Sequence, residues 1–121
     1  MREKEIGASL ESAAGFVEDA MEDLREGRLE ELDLNIWRAL ESIEYAAFLL
    51  SLEEISFPEK KTRLKSEKGQ GDKALLTNTS DLLREGVKIA GLGSEARNLS
   101  RCVWNARRIL LWVERNRSGR S

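Results

Sequence analysis

Apolar residues recur at steps of three and four through most of this chain, and this spacing constrains its fold more than any other feature. Between residues 3 and 26 the repeated positions are Ile6, Leu10, Ala13, Val17, Ala20 and Leu24. Between residues 29 and 50 they are Leu29, Leu32, Ile36, Leu40, Ile43, Ala47 and Leu50. Because an α-helix has about 3.6 residues per turn, each set lies on one side of a helix. The spacing predicts two long amphipathic helices, separated at Gly27 and ended near Ser56 by Pro58.

The second half of the chain has the same helical spacing, interrupted by glycines. We predict a third helix over about residues 72–90 and a fourth that begins after Ser94, a suitable N-cap, and runs to about Glu114. The apolar residues of the third helix are Leu75, Leu76, Leu82, Leu83, Val87 and Ile89. Those of the fourth are Leu99, Val103, Ala106, Leu110 and Val113. No segment alternates apolar and polar residues over a useful length, so no strand is predicted.

Four such helices predict an all-α protein, an antiparallel four-helix bundle built from two helical hairpins. Residues 58–73 join the hairpins as a long basic loop, which we expect to be flexible because Leu64 is its only sizeable apolar residue. At 121 residues the chain has the size of one domain. We assign residues 1–116 to this domain and expect residues 117–121 to form a disordered tail.

The chain contains no histidine and one cysteine, Cys102, which limits the chemistry that it can perform. Hydrolases with Ser-His-Asp or Cys-His sites and zinc sites with histidine ligands are excluded. We therefore assign no catalytic residue, metal ligand or cofactor. Three carboxylate pairs raise a metal site as an alternative, although a solvated acidic face has the same pattern; they are Glu18 with Glu22, Asp19 with Asp23, and Glu41 with Glu44. The charged first residues and the lack of a long apolar run predict a cytoplasmic protein without a membrane segment.

Charge is distributed unevenly along the sequence. Residues 1–59 hold 16 acidic and 5 basic side chains, whereas residues 97–121 hold 7 arginines and one acidic residue. Candidates for binding nucleic acid or a protein partner on the fourth helix are Arg97, Arg101, Trp104, Arg108, Trp112 and Arg115. Guanidinium groups beside indoles can bind phosphates and stack on bases. As alternatives, the arginines pair with the acidic helices and the tryptophans are ordinary core or interface residues.

The second helix carries more apolar residues than one core stripe requires. The additional ones are Trp37, Tyr45, Phe48, Leu49 and Leu52. A surface helix of a small monomer cannot easily solvate so much apolar area. We predict that these residues mediate self-association as a homodimer. The alternative is a central helix that its own neighbours cover.

The first hairpin contains the segments FVEDAMEDLREG (residues 16–27) and IEYAAFLL (residues 43–50). Over residues 13–52 it resembles the start of a HEPN (higher eukaryotes and prokaryotes nucleotide-binding) domain. The resemblance implies a four-helix bundle, frequently dimeric, that is often paired with a minimal nucleotidyltransferase or acts as a ribonuclease. The ribonuclease form needs an arginine followed a few residues later by a histidine. Arg97 and Arg101 have no such histidine here, so the resemblance does not extend to that activity.

These observations predict a non-enzymatic helical-bundle interaction module that self-associates. The alternative is a small nucleic-acid or nucleotide-binding subunit that uses the arginines and tryptophans of the C-terminal helix. The low proline and glutamine content beside abundant Glu, Lys and Arg is similar to that of hyperthermophile proteins.

Overall fold

The computed structural model describes residues 3–52, 71–92 and 96–118, and within them the fold is four α-helices. The helices are α1 (Glu3–Glu26), α2 (Leu29–Leu52), α3 (Asp72–Leu92) and α4 (Ala96–Ser118). The described residues contain no strand, and the prediction of an all-α four-helix bundle is confirmed. The predicted end of the second helix near Ser56, most of the basic loop 58–73 and the N-cap Ser94 lie outside the described residues.

The four helices form a ring in which each helix packs against two others. α1 packs along α2 and α3, and α4 packs along α3 and α2. Every adjacent pair is antiparallel: Gly7 at the start of α1 lies against Ala90 at the end of α3, and Asp33 near the start of α2 pairs with Arg117 near the end of α4. Consequently α2 and α3 run parallel on one diagonal, so the end of α2 and the start of α3 lie at opposite ends of the bundle. This is the topology of bundles with one long crossover connection.

The core contains the apolar stripes that the sequence predicts, except that Leu29 at the start of α2 is exposed. Small residues bring α1 and α2 close together. Alanines on facing sides of these two helices are fully buried, among them Ala13, Ala20, Ala39 and Ala46. Each helix adds larger side chains that are essentially removed from water, including Ile6, Leu10, Ile36, Ile43, Leu75, Leu83, Leu99 and Leu110. Burial of such side chains contributes about 1.5–3 kcal/mol each before the entropy cost of ordering them.

The turn between α1 and α2 ends the first helix by a Schellman motif centred on Gly27. Gly27 has φ of 75°, a conformation that costs a residue with a Cβ atom. Its N–H donates to the carbonyl of Leu24, and the N–H of Arg28 donates to the carbonyl of Asp23. The carboxylate of Asp23, which is buried, also accepts hydrogen bonds from Arg28 Nε at 3.2 Å and Asn35 Nδ2 at 2.6 Å. Asp23 therefore fixes the geometry of the first hairpin through both its backbone and its side chain.

The end of α4 differs from the expected disordered tail. The helix runs through Ser118, and the side chain of Arg117 is only 14% exposed because it lies between Asp33 of α2 and Asp72 of α3. These two ion pairs hold the last turn of α4 against the bundle. Residues 119–121 lie outside the described residues.

Candidate interaction site on the second helix

Large apolar side chains that the fold leaves in water are concentrated on α2. Among the described residues, the large hydrophobic side chains classed as exposed are Leu29, Leu34, Trp37, Tyr45, Phe48 and Leu52. All six belong to α2. At about 100° per residue, the last five lie within an arc of about 80° on the side of the helix away from the core. We call these five residues, Leu34, Trp37, Tyr45, Phe48 and Leu52, the α2 face.

The α2 face is apolar over its length but contains one central carboxylate. Its five side chains are between 47% and 57% exposed, so about half of each remains available for contact with another molecule. Glu41 lies on the same side of the helix between Trp37 and Tyr45 and is exposed. Within the described part of the chain, no ion pair or hydrogen bond of the Glu41 side chain is found. The α2 face is thus an apolar stripe with an acidic group near its middle.

The α2 face stays uncovered because α4 packs against α2 less closely than α1 does. A groove of about 600 Å³ remains between the two helices. Its α2 wall is formed by Trp37, Leu40, Glu41, Glu44 and Tyr45, and its α4 wall by Leu111 and Glu114. The groove therefore widens the apolar surface on one side of the α2 face.

Of the five residues predicted for self-association, four are exposed on α2 and one is buried. Trp37, Tyr45, Phe48 and Leu52 are all on the α2 face. Leu49 is 3% exposed and lies in the core, because its position on the helix faces the neighbouring helices. Leu34 was not among the predicted residues, although its spacing from Leu52 and Tyr45 could have placed it on the same side.

The predicted arginine and tryptophan positions of α4 differ in their exposure to water. Arg101 and Arg115 are exposed, whereas Arg108, Trp104 and Trp112 are half-buried. Trp112 packs against the core. The ring of Trp104 lies under the guanidinium of Arg107, with Cζ 5.5 Å from the ring centroid. The side chain of Arg97 lies outside the described residues.

The arginines that pair with acidic residues across helices are mostly different from the predicted candidates. Arg107 Nε donates to Glu44 on α2, and Arg117 Nε lies 2.5 Å from Asp33 Oδ1. On the other side of the bundle, Arg84 Nη2 of α3 lies 2.6 Å from Glu18 Oε1 of α1. The sequence contained a signal for Arg117, since it follows Val113 by four residues and Leu110 by seven and so falls on the core stripe. A charged residue at such a position requires a buried partner.

Two further grooves lie elsewhere on the bundle. One, of about 370 Å³ between α3 and α4, is lined by Leu82, Glu85, Ile89, Asn98, Arg101, Cys102 and Asn105. Cys102 is 6% exposed; burial raises the pKa of its thiol, Glu85 raises it further, and Arg101 opposes this. The thiol is therefore protonated at neutral pH and is a poor nucleophile. The other groove, of about 550 Å³, lies beside the last turns of α1 and is lined by Glu18, Met21, Glu22, Leu24, Arg25 and Lys73.

In each carboxylate pair considered as metal ligands, at least one member forms an ion pair with an arginine. Glu18 pairs with Arg84, Glu44 with Arg107, and Asp23 with Arg28 and Asn35. Within residues 3–52, 71–92 and 96–118, no group of three or more acidic or cysteine side chains is arranged to hold a metal ion. No helix in these ranges combines the length and apolar character needed to cross a bilayer.

Comparisons of the chain with protein-family models, with curated proteins and with solved structures each found no match. The resemblance of residues 13–52 to a HEPN domain stays a prediction.

Proposed function

We propose that this protein is a non-enzymatic interaction module and that it self-associates through the α2 face. The observation that carries the proposal is the position of the exposed large apolar side chains: in the described residues they all belong to one helix, and five of them share one side of it. Single exposed apolar residues are ordinary on protein surfaces, but a continuous stripe of this kind is typical of interaction sites.

The size of the α2 face supports this proposal. An aromatic side chain offers about 150–250 Å², so three half-exposed aromatics and two half-exposed leucines leave roughly 500 Å² of apolar surface in water. A stable interface of ordinary size buries about 800 Å² on each partner, of which about 60% is apolar. The α2 face therefore has about the apolar area that one side of such an interface requires.

The proposal assigns no catalytic residue or cofactor. At least one member of each candidate carboxylate pair binds an arginine, which favours a structural role for these acidic residues. Cys102 is a buried, protonated thiol. We also propose that the module works in the cytoplasm, in accord with a single cysteine and a charged surface.

Self-association is tested by size-exclusion chromatography with light scattering at low and high salt. We expect a dimer that persists in high salt, because apolar burial is not screened by ions. Phe48→Lys should give a monomer, because it removes the aromatic ring from the α2 face and places a charge there. Leu29→Lys is the matched control, since Leu29 is equally exposed on α2 but lies about 120° away from the centre of the α2 face, and it should remain dimeric. A monomeric wild-type protein across a dilution series would refute the proposal.

A second candidate function is binding of single-stranded nucleic acid by α4. Arg101 and Arg115 favour it, because both are exposed and neither forms an ion pair with another described residue. The pairing of Trp104 with Arg107 weighs against it, since a base would have to displace that guanidinium to stack on the ring.

Fluorescence anisotropy with a labelled single-stranded oligonucleotide, measured over a salt series, tests this second function. Binding through these arginines predicts that Arg101→Ala with Arg115→Ala lowers the affinity and reduces the salt slope by about two. Arg25→Ala with Lys88→Ala is the matched control, because it removes two exposed cations from α1 and α3. Equal affinities of the two double variants would exclude α4 as the binding surface.

A further inference from the structure

Four residues of the α2 face and two charged residues next to them repeat at alternating steps of four and three. The six positions are Leu34, Arg38, Glu41, Tyr45, Phe48 and Leu52, and none of the six is buried. This is the spacing of the two seam positions of a coiled-coil heptad. The seam faces away from the core, so α2 carries one apolar stripe for its own bundle and a second, heptad-spaced stripe for a partner helix.

We infer that the partner is α2 of a second copy of this chain, packed antiparallel across a two-fold axis at the level of Ile43. This inference rests on the proposed self-association and specifies its geometry. The six seam positions are symmetric about residue 43, at two, five and nine residues on either side. A two-fold axis at that level superposes the seam of one helix on the seam of the other in the reverse direction.

Each layer of this antiparallel seam brings together compatible side chains. Leu34 meets Leu52 of the second copy, and these apolar layers close both ends of the seam. Arg38 meets Phe48 of the second copy, where a guanidinium can lie over an aromatic ring. Glu41 meets Tyr45 of the second copy, whose hydroxyl can donate to the carboxylate. The two charged residues of the seam therefore each face an aromatic partner that can accommodate them.

A parallel pair of α2 helices would be unfavourable. In that arrangement Arg38 would face Arg38 of the second copy, and Glu41 would face Glu41 of the second copy. Like charges at seam positions disfavour the register in which they meet. Arg38 and Glu41 thus select the antiparallel orientation, while the apolar residues supply the attraction.

Trp37 completes the interface beside the seam. It precedes Arg38 and lies on the edge of the α2 face that borders the groove with α4. Across the antiparallel seam, the residues nearest to it are Phe48 and Leu52 of the second copy. From Leu34 to Leu52 the seam is about 27 Å long at 1.5 Å per residue, and Trp37 widens the buried surface on the side where α4 leaves α2 uncovered.

Two opposite charges at one position test this geometry. Tyr45→Lys places an ammonium against Glu41 of the second copy in both symmetric layers, whereas Tyr45→Glu places a carboxylate there. Both variants remove the same ring from an exposed position. Lysine retains two more methylene groups than glutamate, and a salt series separates this apolar difference, which ions do not screen, from the charge difference, which they do. We expect Tyr45→Lys to remain dimeric and the dimer dissociation constant of Tyr45→Glu to be about 100-fold larger, tenfold for each layer. Sedimentation equilibrium at low salt measures both constants, and circular dichroism checks that both variants fold.

The outcomes separate the geometry from the proposed function. A dimeric wild-type protein that Tyr45→Lys and Tyr45→Glu weaken equally would overturn the antiparallel register and leave self-association through the α2 face intact. Stronger weakening by Tyr45→Lys than by Tyr45→Glu would overturn it too. A monomeric wild-type protein would overturn both proposals. Restoration of the Tyr45→Glu dimer by the second change Glu41→Lys, at low salt but not at high salt, would support the assigned layer directly.

Discussion

Arg117 near the end of α4 and Asp33 near the start of α2 are 84 residues apart in the sequence, and Nε of the arginine lies 2.5 Å from Oδ1 of the aspartate. Nη1 of the same guanidinium lies 3.4 Å from Oδ2 of Asp72 in the first turn of α3. One largely buried side chain therefore links three helices at one end of the bundle. Both aspartates are near helix N-termini, where a carboxylate is also favoured by the helix dipole.

Replacement of Arg117 by Ala should lower the free energy of unfolding by about 1–2 kcal/mol. The change leaves Asp72, which is 16% exposed, without its cation, while the loss at the more exposed Asp33 is screened by water. Urea denaturation followed by circular dichroism measures the effect. Arg115→Ala is the control, since Arg115 is exposed two residues earlier in α4, and its effect should stay within about 0.5 kcal/mol. Equal losses for the two variants would show that the bridge contributes no stability.

Adding a side chain at each of two helical glycines should change the stability of the protein in opposite directions. At Gly86 a Cβ atom would lie 2.9 Å from Cδ1 of Leu10 in the core, so Gly86→Val should cost about 1–3 kcal/mol by overpacking. At Gly15 a Cβ atom would have no neighbour within 4 Å, so Gly15→Ala should stabilise the protein by about 0.5–1 kcal/mol through helix propensity. The thermal unfolding midpoints of the two variants show whether each change stabilises or destabilises the protein. A destabilised Gly15→Ala protein would contradict the packing described for α1.

Gly27→Ala should destabilise the first hairpin. The positive φ of 75° at this position costs an alanine about 1 kcal/mol relative to glycine. Asparagine tolerates this conformation better than other residues with a side chain, so Gly27→Asn should cost less than Gly27→Ala. Chemical denaturation of the three proteins checks this order. The reverse order would mean that the turn does not keep the Schellman geometry in solution.

Cys102 should make the bundle less stable at alkaline pH. Burial raises the pKa of its thiol above the value in the unfolded chain, so the unfolded state loses this proton first as pH rises. The stabilising contribution is complete below the unfolded pKa and is lost as pH rises through the folded pKa. Unfolding of the wild-type and Cys102→Ala proteins at neutral and alkaline pH measures it, and we expect the wild-type protein to lose more stability between the two. If the wild-type and Cys102→Ala proteins lose the same amount of stability between neutral and alkaline pH, ionisation of the thiol is not involved.

Most of the fold could be predicted from the sequence because its determinants are local. Apolar spacing defined α1 as residues 3–26, as the structure has it, and Gly27 ends it for the expected conformational reason. The start of α3 at Asp72 also agrees. The end of α4 could not be predicted in this way. No apolar residue follows Val113, so the apolar spacing could not extend the helix beyond it, and Arg117 is held by acidic residues of two other helices.

The candidate site was only partly predictable. The sequence showed that α2 has more apolar residues than one core stripe needs, because composition and period are properties of the helix alone. It could not show which of them face water. Leu49 is buried and Phe48, its neighbour, is 57% exposed, and this difference depends on where α1 and α4 lie around α2.

The sequence by itself determined the helices, their order and the two stripes of α2, since the 3.6-residue period and the residues that end helices act over short distances along the chain. Only the tertiary structure decided which stripe became the core and which stayed in water. It also decided that Arg107 and Arg117, which were not among the predicted binding residues of α4, pair with acidic residues of α2. Both outcomes depend on distances between helices far apart in sequence, and these distances are set by how closely alanine-rich α1 and bulkier α4 can approach α2.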